Sequence, residues 1–415
     1  MSTHPDHVTV NGRTYAWPKQ PLVVVCVDGS QPEYIEQAIE GGHMPFLADA
    51  LKRGSDLRAD CVVPSFTNPN NLSIVTGTPP KVHGISGNFF LDPDSGEEVM
   101  MNDPKFLRTE TIFKAFHDAG AKIAIVTAKD KLRRLLGHGL DFSSGRAISF
   151  SSEKADETTL ADNGIDNAQA FVGRDIPDVY SADLSEFIFD AGVKLMEAHR
   201  PDIMYLSTTD YIQHKHAPGT PVADAFYSMM DSYWRELDAM GAVLALTADH
   251  GMNAKFGADG APDVIYLQTL LDEWLGDDKA RVILPITDPY VVHHGALGSF
   301  ATAYLPADAD AAEIAKRLES VDGIDNAYTR ADGCAEFELP EDRLGDIIVV
   351  SGIHKVIGTT AERHDLGQLK EPLRSHGGVS EQRVPLVVTR PVDGVDAGRR
   401  LRNFDIFDIA LNHAG

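Results

Sequence analysis

Asp210 and His214, in TTDYIQHKH, and Asp249 and His250, in LALTADHGMN, are four ionisable side chains that each closely follow an apolar run. Carboxylate and imidazole together make a donor set for zinc. The four-residue step from Asp210 to His214 puts both side chains on one face of a helix. A third apolar run, LVVVCV, leads into Asp28, and His376 opens SHGG late in the chain. These six residues offer ligands for two metal ions, and Thr67 offers a hydroxyl nucleophile beside them.

Taken singly, each residue has an ordinary structural reading. Asp-x-x-x-His arises on helices by chance. Asp28 before Gly29 and Asp249 before Gly251 both suit turns. Thr67 or Asn68, in VPSFTNPNNLSIVTG, suits a helix N-cap with Pro69 in the first turn. The same geometry also serves chemistry: a helix N-terminus presents free N–H groups and the positive end of a dipole, which suit a phosphoryl oxyanion. A hydroxyl bound there to a metal loses its proton more readily.

What separates the two readings is where the supporting elements deliver these residues. Short apolar, β-branched runs at 21–27, 121–127, 202–208, 242–248 and 383–389 read as buried parallel strands. Helical patterns separate them: PEYIEQAIEGG, MPFLADALKRG, ETIFKAFHDAG, LSEFIFDAGVKLMEAHR and a stretch from Pro221 to Met240. This alternation predicts an α/β fold, a mostly parallel sheet with helices on both faces. Asp28, Lys129, Asp210 and Asp249 then all fall just past strand ends, at the edge where open α/β sheets bind ligands. Residues 270–350 read differently, as a smaller α+β cap insert, leaving 1–269 and 351–415 as the catalytic core. The stretch from Gly137 to Tyr180 reads as a polar, irregular excursion.

Composition narrows the function. The chain has 415 residues, 43% hydrophobic and 24% charged, with a net charge of −25. So acidic a chain is expected to bind no nucleic acid, because phosphate backbones need a basic surface. Three cysteines, Cys26, Cys61 and Cys334, lack paired spacing, so neither a disulfide framework nor a thiolate zinc site is expected. Cys26 reads as a core residue. No apolar run reaches membrane-spanning length, and MSTHPDHVTVNGRTYAWP lacks a basic start followed by an apolar stretch. No membrane association is expected, and the cytoplasm is the expected location. The oligomeric state stays open, with a homodimer among the alternatives.

As a set, Asp28, Thr67, Asp210 with His214, Asp249 with His250, and His376 resemble the alkaline phosphatase superfamily. The segment VPSFTNPNNLSIVTGTPPKVHGISGNFF is similar to the nucleophile region of its nucleotide pyrophosphatase/phosphodiesterase branch. The resemblance implies an alkaline phosphatase-like core and two Zn2+ ions. Asp28, Thr67, Asp249 and His250 would hold one, and Asp210, His214 and His376 the other; the same donors accept manganese or iron. It implies Thr67 as the catalytic nucleophile and Asn88, in HGISGN, as a donor to a phosphoryl oxygen.

The TAKDKL segment, with Lys129 and Lys131, is similar to phosphonoacetate hydrolases. It implies hydrolysis of a carbon–phosphorus bond in a small anionic phosphonate, with a phosphothreonine intermediate. The expected substrate contacts are Thr67, Asn88, Lys129, Lys131 and His214. A phosphodiesterase or nucleotide pyrophosphatase is the alternative, with Phe89 and Phe90 available to stack on a nucleoside. A non-catalytic metal-binding protein is the alternative of another class. His216, His293, His294 and His364 read as ordinary surface or packing histidines.

Overall fold

The computed structural model describes residues 4–288, 295–369 and 371–415; His293 and His294 lie outside them. Its centre is a seven-stranded sheet. In chain order the strands are β1 (Leu22–Cys26), β2 (Ser55–Asp60), β3 (Ile123–Thr127), β4 (Ala147–Ser151), β5 (Ile203–Ser207), β6 (Val243–Thr247) and β11 (Arg383–Val388). Their spatial order is β2-β11-β6-β1-β5-β3-β4. The run β6-β1-β5-β3-β4 is parallel throughout.

The strands are apolar without alternation because both faces are covered. In β1, Val23 and Val25 face one hydrophobic cluster. That cluster includes Tyr34 of α1 (Pro32–Glu40), Phe187 of α6 (Asp183–Ala198) and Trp234 of α8 (Pro221–Ala239). Leu22, Val24 and Cys26 face the other cluster, with Leu72 of α3 (Thr67–Thr76) and Phe113 of α4 (Ile112–Asp118). Cys26, Cys61 and Cys334 are all buried free thiols.

Two expectations need correction. The run 383–389 was expected to be parallel; β11 instead pairs antiparallel with β6 on one side and β2 on the other. The chain enters it from His376 through a single 3₁₀ turn, Val379–Glu381, on the carboxyl edge, so it must run back down the sheet. A parallel strand would need a full crossover. The excursion at 137–180 is not irregular either. It supplies β4, a fully buried edge strand whose Ser149 and Ser151 lower its hydropathy without exposing it.

A second, four-stranded antiparallel sheet comprises β7 (Arg281–Ile283), β8 (Phe300–Tyr304), β9 (Ile324–Thr329) and β10 (Ile347–Ser351), ordered β7-β8-β10-β9. Helices α9 (Ala311–Leu318) and α10 (Arg330–Phe337) contribute to its core. Phe66, just before Thr67, joins this second core edge-on to Phe300, ring centroids 6.4 Å apart. The small sheet is thereby tied to the start of α3.

Candidate active site

The carboxyl edge of the parallel strands collects the ionisable residues. Asp28 follows β1, Asp210 starts the short helix α7 (Tyr211–Lys215) after β5, and Asp249 with His250 follows β6. Gly29 lets the first two loops meet: its φ is +70°, and a Cβ there would lie 3.2 Å from the Asp210 Cβ. His376 arrives from the loop before β11. Gly377 beside it has φ +122°, and a Cβ would stand 2.4 Å from the Phe66 ring.

The six residues assemble as two groups, Asp28–Asp249–His250 and Asp210–His214–His376. Within each, one donor atom per residue lies within 4.8 Å of the others. His250 Nε2 is 3.2 Å from Asp28 Oδ1, and His214 Nε2 is 2.9 Å from Asp210 Oδ2. The His250 and His376 rings stack, centroids 3.6 Å apart and planes 7° apart, so the groups touch through one imidazole from each.

Each imidazole is oriented by a backbone carbonyl. Nδ1 of His214, His250 and His376 donates to Arg374 O (2.7 Å), Gly251 O (2.9 Å) and Ser65 O (2.7 Å). That fixes the tautomer and turns every Nε2 inward, the arrangement usual for metal-bound histidine. Asp249 is held as firmly: Oδ1 accepts from the Gly29 and His250 N–H groups and Oδ2 from Asn71 Nδ2. The residues present suit divalent cations. Buried Asp28 Oδ1 and His250 Nε2 face each other 3.2 Å apart with no third polar partner, and such a pair needs a positive charge, a proton on the imidazole or a cation in its place.

The electrostatics point the same way. Burial raises the Asp28 carboxyl well above its usual range, and the charges of Asp210 and Asp249 add to this. Asp249 is raised by burial and by Asp210. For His250 burial acts downward, but Asp249 and Asp28 overcome it and hold the imidazole up to about 10. His376 is pushed well below its usual value by burial and by its neighbours His250 and His214. Without metal, a proton on His250 neutralises the acidic pair; a cation would replace it.

Above the two groups lies a pocket of about 100 Å³. It is lined by Asp28, Asp210, His376, Thr67, Asn88, Lys129 and Lys131, with Asn68, Met100, Asn102, Thr208, Thr209, Ile286 and Asp288 among the remainder. His214, Asp249 and His250 sit behind it. Thr67 is the first residue of α3, whose N-cap is Phe66 with no side-chain cap. Neither Thr67 nor Asn68 caps this helix. Asn88 supplies the acceptor instead, its Oδ1 taking the Asn68 N–H at 3.0 Å and leaving its amide Nδ2 for the pocket.

Lys129 is the N-cap residue of α5 (Asp130–Leu136) after β3. Asp130 pairs with Arg133 and Arg134, so the pocket receives Lys129 and Lys131 as its cations. Lys131 Nζ lies 3.5 Å from Asp288 Oδ1.

Several functional side chains escaped the sequence reading. Asn71 bonds Asp249, the Thr67 carbonyl, Tyr205 and Ser207. Its spacing of four residues from Thr67, one helical turn, was the available signal. Thr208 accepts from the Asp28 N–H. Asp288 comes from the segment after β7, whose approach to the pocket no local pattern announces. Phe89 and Phe90 do not line the pocket; Phe90 is buried edge-on against Phe106. No Phe, Tyr or Trp is among the described lining residues. His364 is a packing residue, accepting from the Thr359 N–H and donating to Gly295 O. His216 belongs to neither ligand group.

The family model for type I phosphodiesterase / nucleotide pyrophosphatase matches residues 22–378. An ectonucleotide pyrophosphatase/phosphodiesterase of Caenorhabditis elegans is 33% identical over 103 residues, 23% of this chain and 13% of that protein. An uncharacterized pyrophosphatase/phosphodiesterase of Schizosaccharomyces pombe is 29% identical over 115 residues, 27% of this chain and 22% of that protein. The aligned segments thus span under a quarter of these curated relatives. Among solved structures, phosphonoacetate hydrolase from Sinorhizobium meliloti 1021, in complex with phosphonoformate and with phosphonoacetate, is 61% identical. It matches over 100% of both chains with a TM-score of 0.96. Murine ectonucleotide pyrophosphatase/phosphodiesterase 5 shares the fold, at 16% identity, 96% and 97% coverage and a TM-score of 0.63.

Proposed function

The chain belongs to the type I phosphodiesterase / nucleotide pyrophosphatase family, and from that premise we propose that it is a hydrolase of phosphonoacetate, releasing acetate and phosphate. The observation that carries this reading is a small pocket, about 100 Å³, that joins Thr67 to two lysines. Ligand pockets for drug-sized molecules run to about 300–1,000 Å³. A nucleoside would also want a stacking ring, and the described lining has none outside His376.

The family is metal-dependent, and the chain carries two groups of candidate ligands. Asp28, Thr67, Asp249 and His250 would hold one zinc ion, and Asp210, His214 and His376 a second. Such ions would supply Lewis-acid stabilisation of phosphoryl charge.

The Thr67 hydroxyl gives up its proton and its oxygen attacks phosphorus. The P–C bond breaks as the new P–O bond forms, and the electron pair stays on the methylene carbon. That carbon is a poor leaving group unless its charge spreads into the adjacent carboxylate. Lys129 and Lys131 stabilise that charge, and the carbon then takes up a proton to become acetate. Asn88 Nδ2 and the α3 N-terminus hold phosphoryl oxygens, while His214, outside the pocket lining, acts as a candidate metal ligand. Water then cleaves the phosphothreonine, giving phosphate and restoring Thr67.

Residues 270–350 serve as a cap on a core of 1–269 and 351–415, a role supported by Ile286 and Asp288 lining the pocket. The reaction is assigned to the cytoplasm, which suits three buried free thiols and the absence, among the described residues, of a helix able to cross a membrane.

Phosphate release from phosphonoacetate, set against an aryl phosphodiester, tests the function. Phosphonoacetate should be turned over far better. Efficient cleavage of the diester with no release from phosphonoacetate would overturn the reading.

A further inference from the structure

We propose that Glu381, neutralised by Lys255, is a positioning residue shared by both candidate metal groups, so that disturbing it weakens both metals together. The inference rests on the two-metal reading above and goes beyond it.

The two side chains form an ion pair at 2.9 Å and are both 0% exposed. A buried charge pair is costly unless every remaining polar atom is satisfied, and breaking one partner leaves an uncompensated charge. Here each polar atom of the pair has at least one further partner. Glu381 Oε1 also accepts from Asn253 Nδ2 (2.7 Å) and Ser380 Oγ (2.6 Å), and Lys255 Nζ also donates to Ile353 O (2.8 Å). So much polar structure inside the molecule is placed where it touches two ligand loops at once.

On one side, the Glu381 carbonyl accepts the Gly251 N–H at 2.7 Å, and the Gly251 carbonyl accepts Nδ1 of His250. On the other, Glu381 Oε2 accepts the Gly378 N–H at 3.0 Å. Gly378 O then accepts Ser65 Oγ, and Ser65 O accepts Nδ1 of His376. Two short hydrogen-bonded chains therefore run from one residue to the two stacked rings, one ring from each ligand group. A ring separation of 3.6 Å leaves little play, so a shift of either loop moves both Nε2 atoms. An ordinary outer partner supports one ligand; this one supports two, and that predicts parallel loss.

The test is chelator competition for zinc on the full chain, resolving both ions, with melting temperature measured alongside. Glu381→Gln should weaken both ions by similar factors, about 10–100-fold, the range for outer partners of metal ligands. A folded Glu381→Gln protein that binds both ions as the wild type does, or loses only one, overturns the proposal. Asp231→Asn is the control for general destabilisation. Asp231 caps the Phe46 and Leu47 N–H groups and touches no pocket residue. If it weakens both metals as much as Glu381→Gln does, the specific role falls. Should Glu381→Gln fail to fold, Ser380→Ala decides: it removes one donor from Oε1 and leaves the ion pair intact. A smaller, still parallel loss supports the proposal, and unchanged affinities overturn it. Wild-type protein that binds no metal would instead sink the two-metal reading itself.

Discussion

Replacing Lys131 by alanine, alone and together with Asp288→Asn, probes how charge is arranged over the substrate carboxylate. Lys131 Nζ and Asp288 Oδ1 are 3.5 Å apart, and both side chains line the pocket. A substrate carboxylate about 4 Å from the ammonium gains about 4 kcal/mol at an effective dielectric constant of about 20. Asp288, one ion-pair length farther away at about 7 Å, repels it by about 2 kcal/mol. The Lys131 side chain is 39% exposed, so solvent screening reduces both figures, by roughly half. Lys131→Ala should then lose about 2 kcal/mol, roughly 30-fold in kcat/KM for phosphonoacetate. Adding Asp288→Asn should recover about 1 kcal/mol, roughly fivefold. An aryl phosphodiester without a carboxylate should respond to neither change by more than about twofold, because the charge they act on is absent. The assay is phosphate release from phosphonoacetate and phenol release from the diester, each over a range of concentrations. A double variant no better than Lys131→Ala, or equal losses on both substrates, would refute the assignment. Lys131 would then be acting on phosphoryl oxygens. Lys129, for which no ion pair is found among the described residues, should cost more when truncated, about 10²–10³-fold.

Three further outcomes are expected. Thr67→Ala should keep its fold and bind metal yet lose nearly all turnover, while Thr67→Ser keeps a part; near-native kcat in Thr67→Ala, measured by steady-state kinetics, would show that water attacks phosphorus directly. Asn71→Ala removes the side-chain donor to Asp249 Oδ2 and a tie to the Thr67 carbonyl, so metal affinity should fall about 10-fold or more by chelator competition. Zinc binding to metal-free protein should release at least one proton per chain at pH 7. His250, held up to about 10, carries a proton that a cation must displace. Affinity should therefore rise with pH up to about 10, and calorimetry in two buffers of different ionisation enthalpy measures the release; none at pH 7 would contradict this electrostatic picture.

The sheet was legible in sequence where strands are apolar on both faces, as at Leu22–Cys26 and Ile203–Ser207. Their flanking acids then marked the ligand edge, because a strand buried on both sides ends in ionisable groups only where a cleft opens. Two kinds of information were missing. Strand direction depends on which edge the chain enters, so Arg383–Val388 read as parallel although it returns from His376. Buried serines hid Ala147–Ser151. At the site, Asp288, Lys255 and Glu381 gave no local signal, since their charged partners lie 126 to 157 residues away in sequence. The N-cap reading of Thr67 failed for a related reason: the acceptor for the helix start comes from Asn88, twenty-one residues on.

The order of the central strands carries a kinetic consequence. Asp28 and Asp249 leave adjacent strands, β1 and β6, that are separated by most of the catalytic core in sequence, and His376 reaches them only after the second sheet has been traversed. Pairings of such long sequence separation form late, because loop-closure entropy must be overcome before any contact offsets it. No partly folded chain holding only one of these strands owns a complete ligand group. A cation held there would thus bind only after β1 and β6 have paired, and would then act as a latch that slows their reopening.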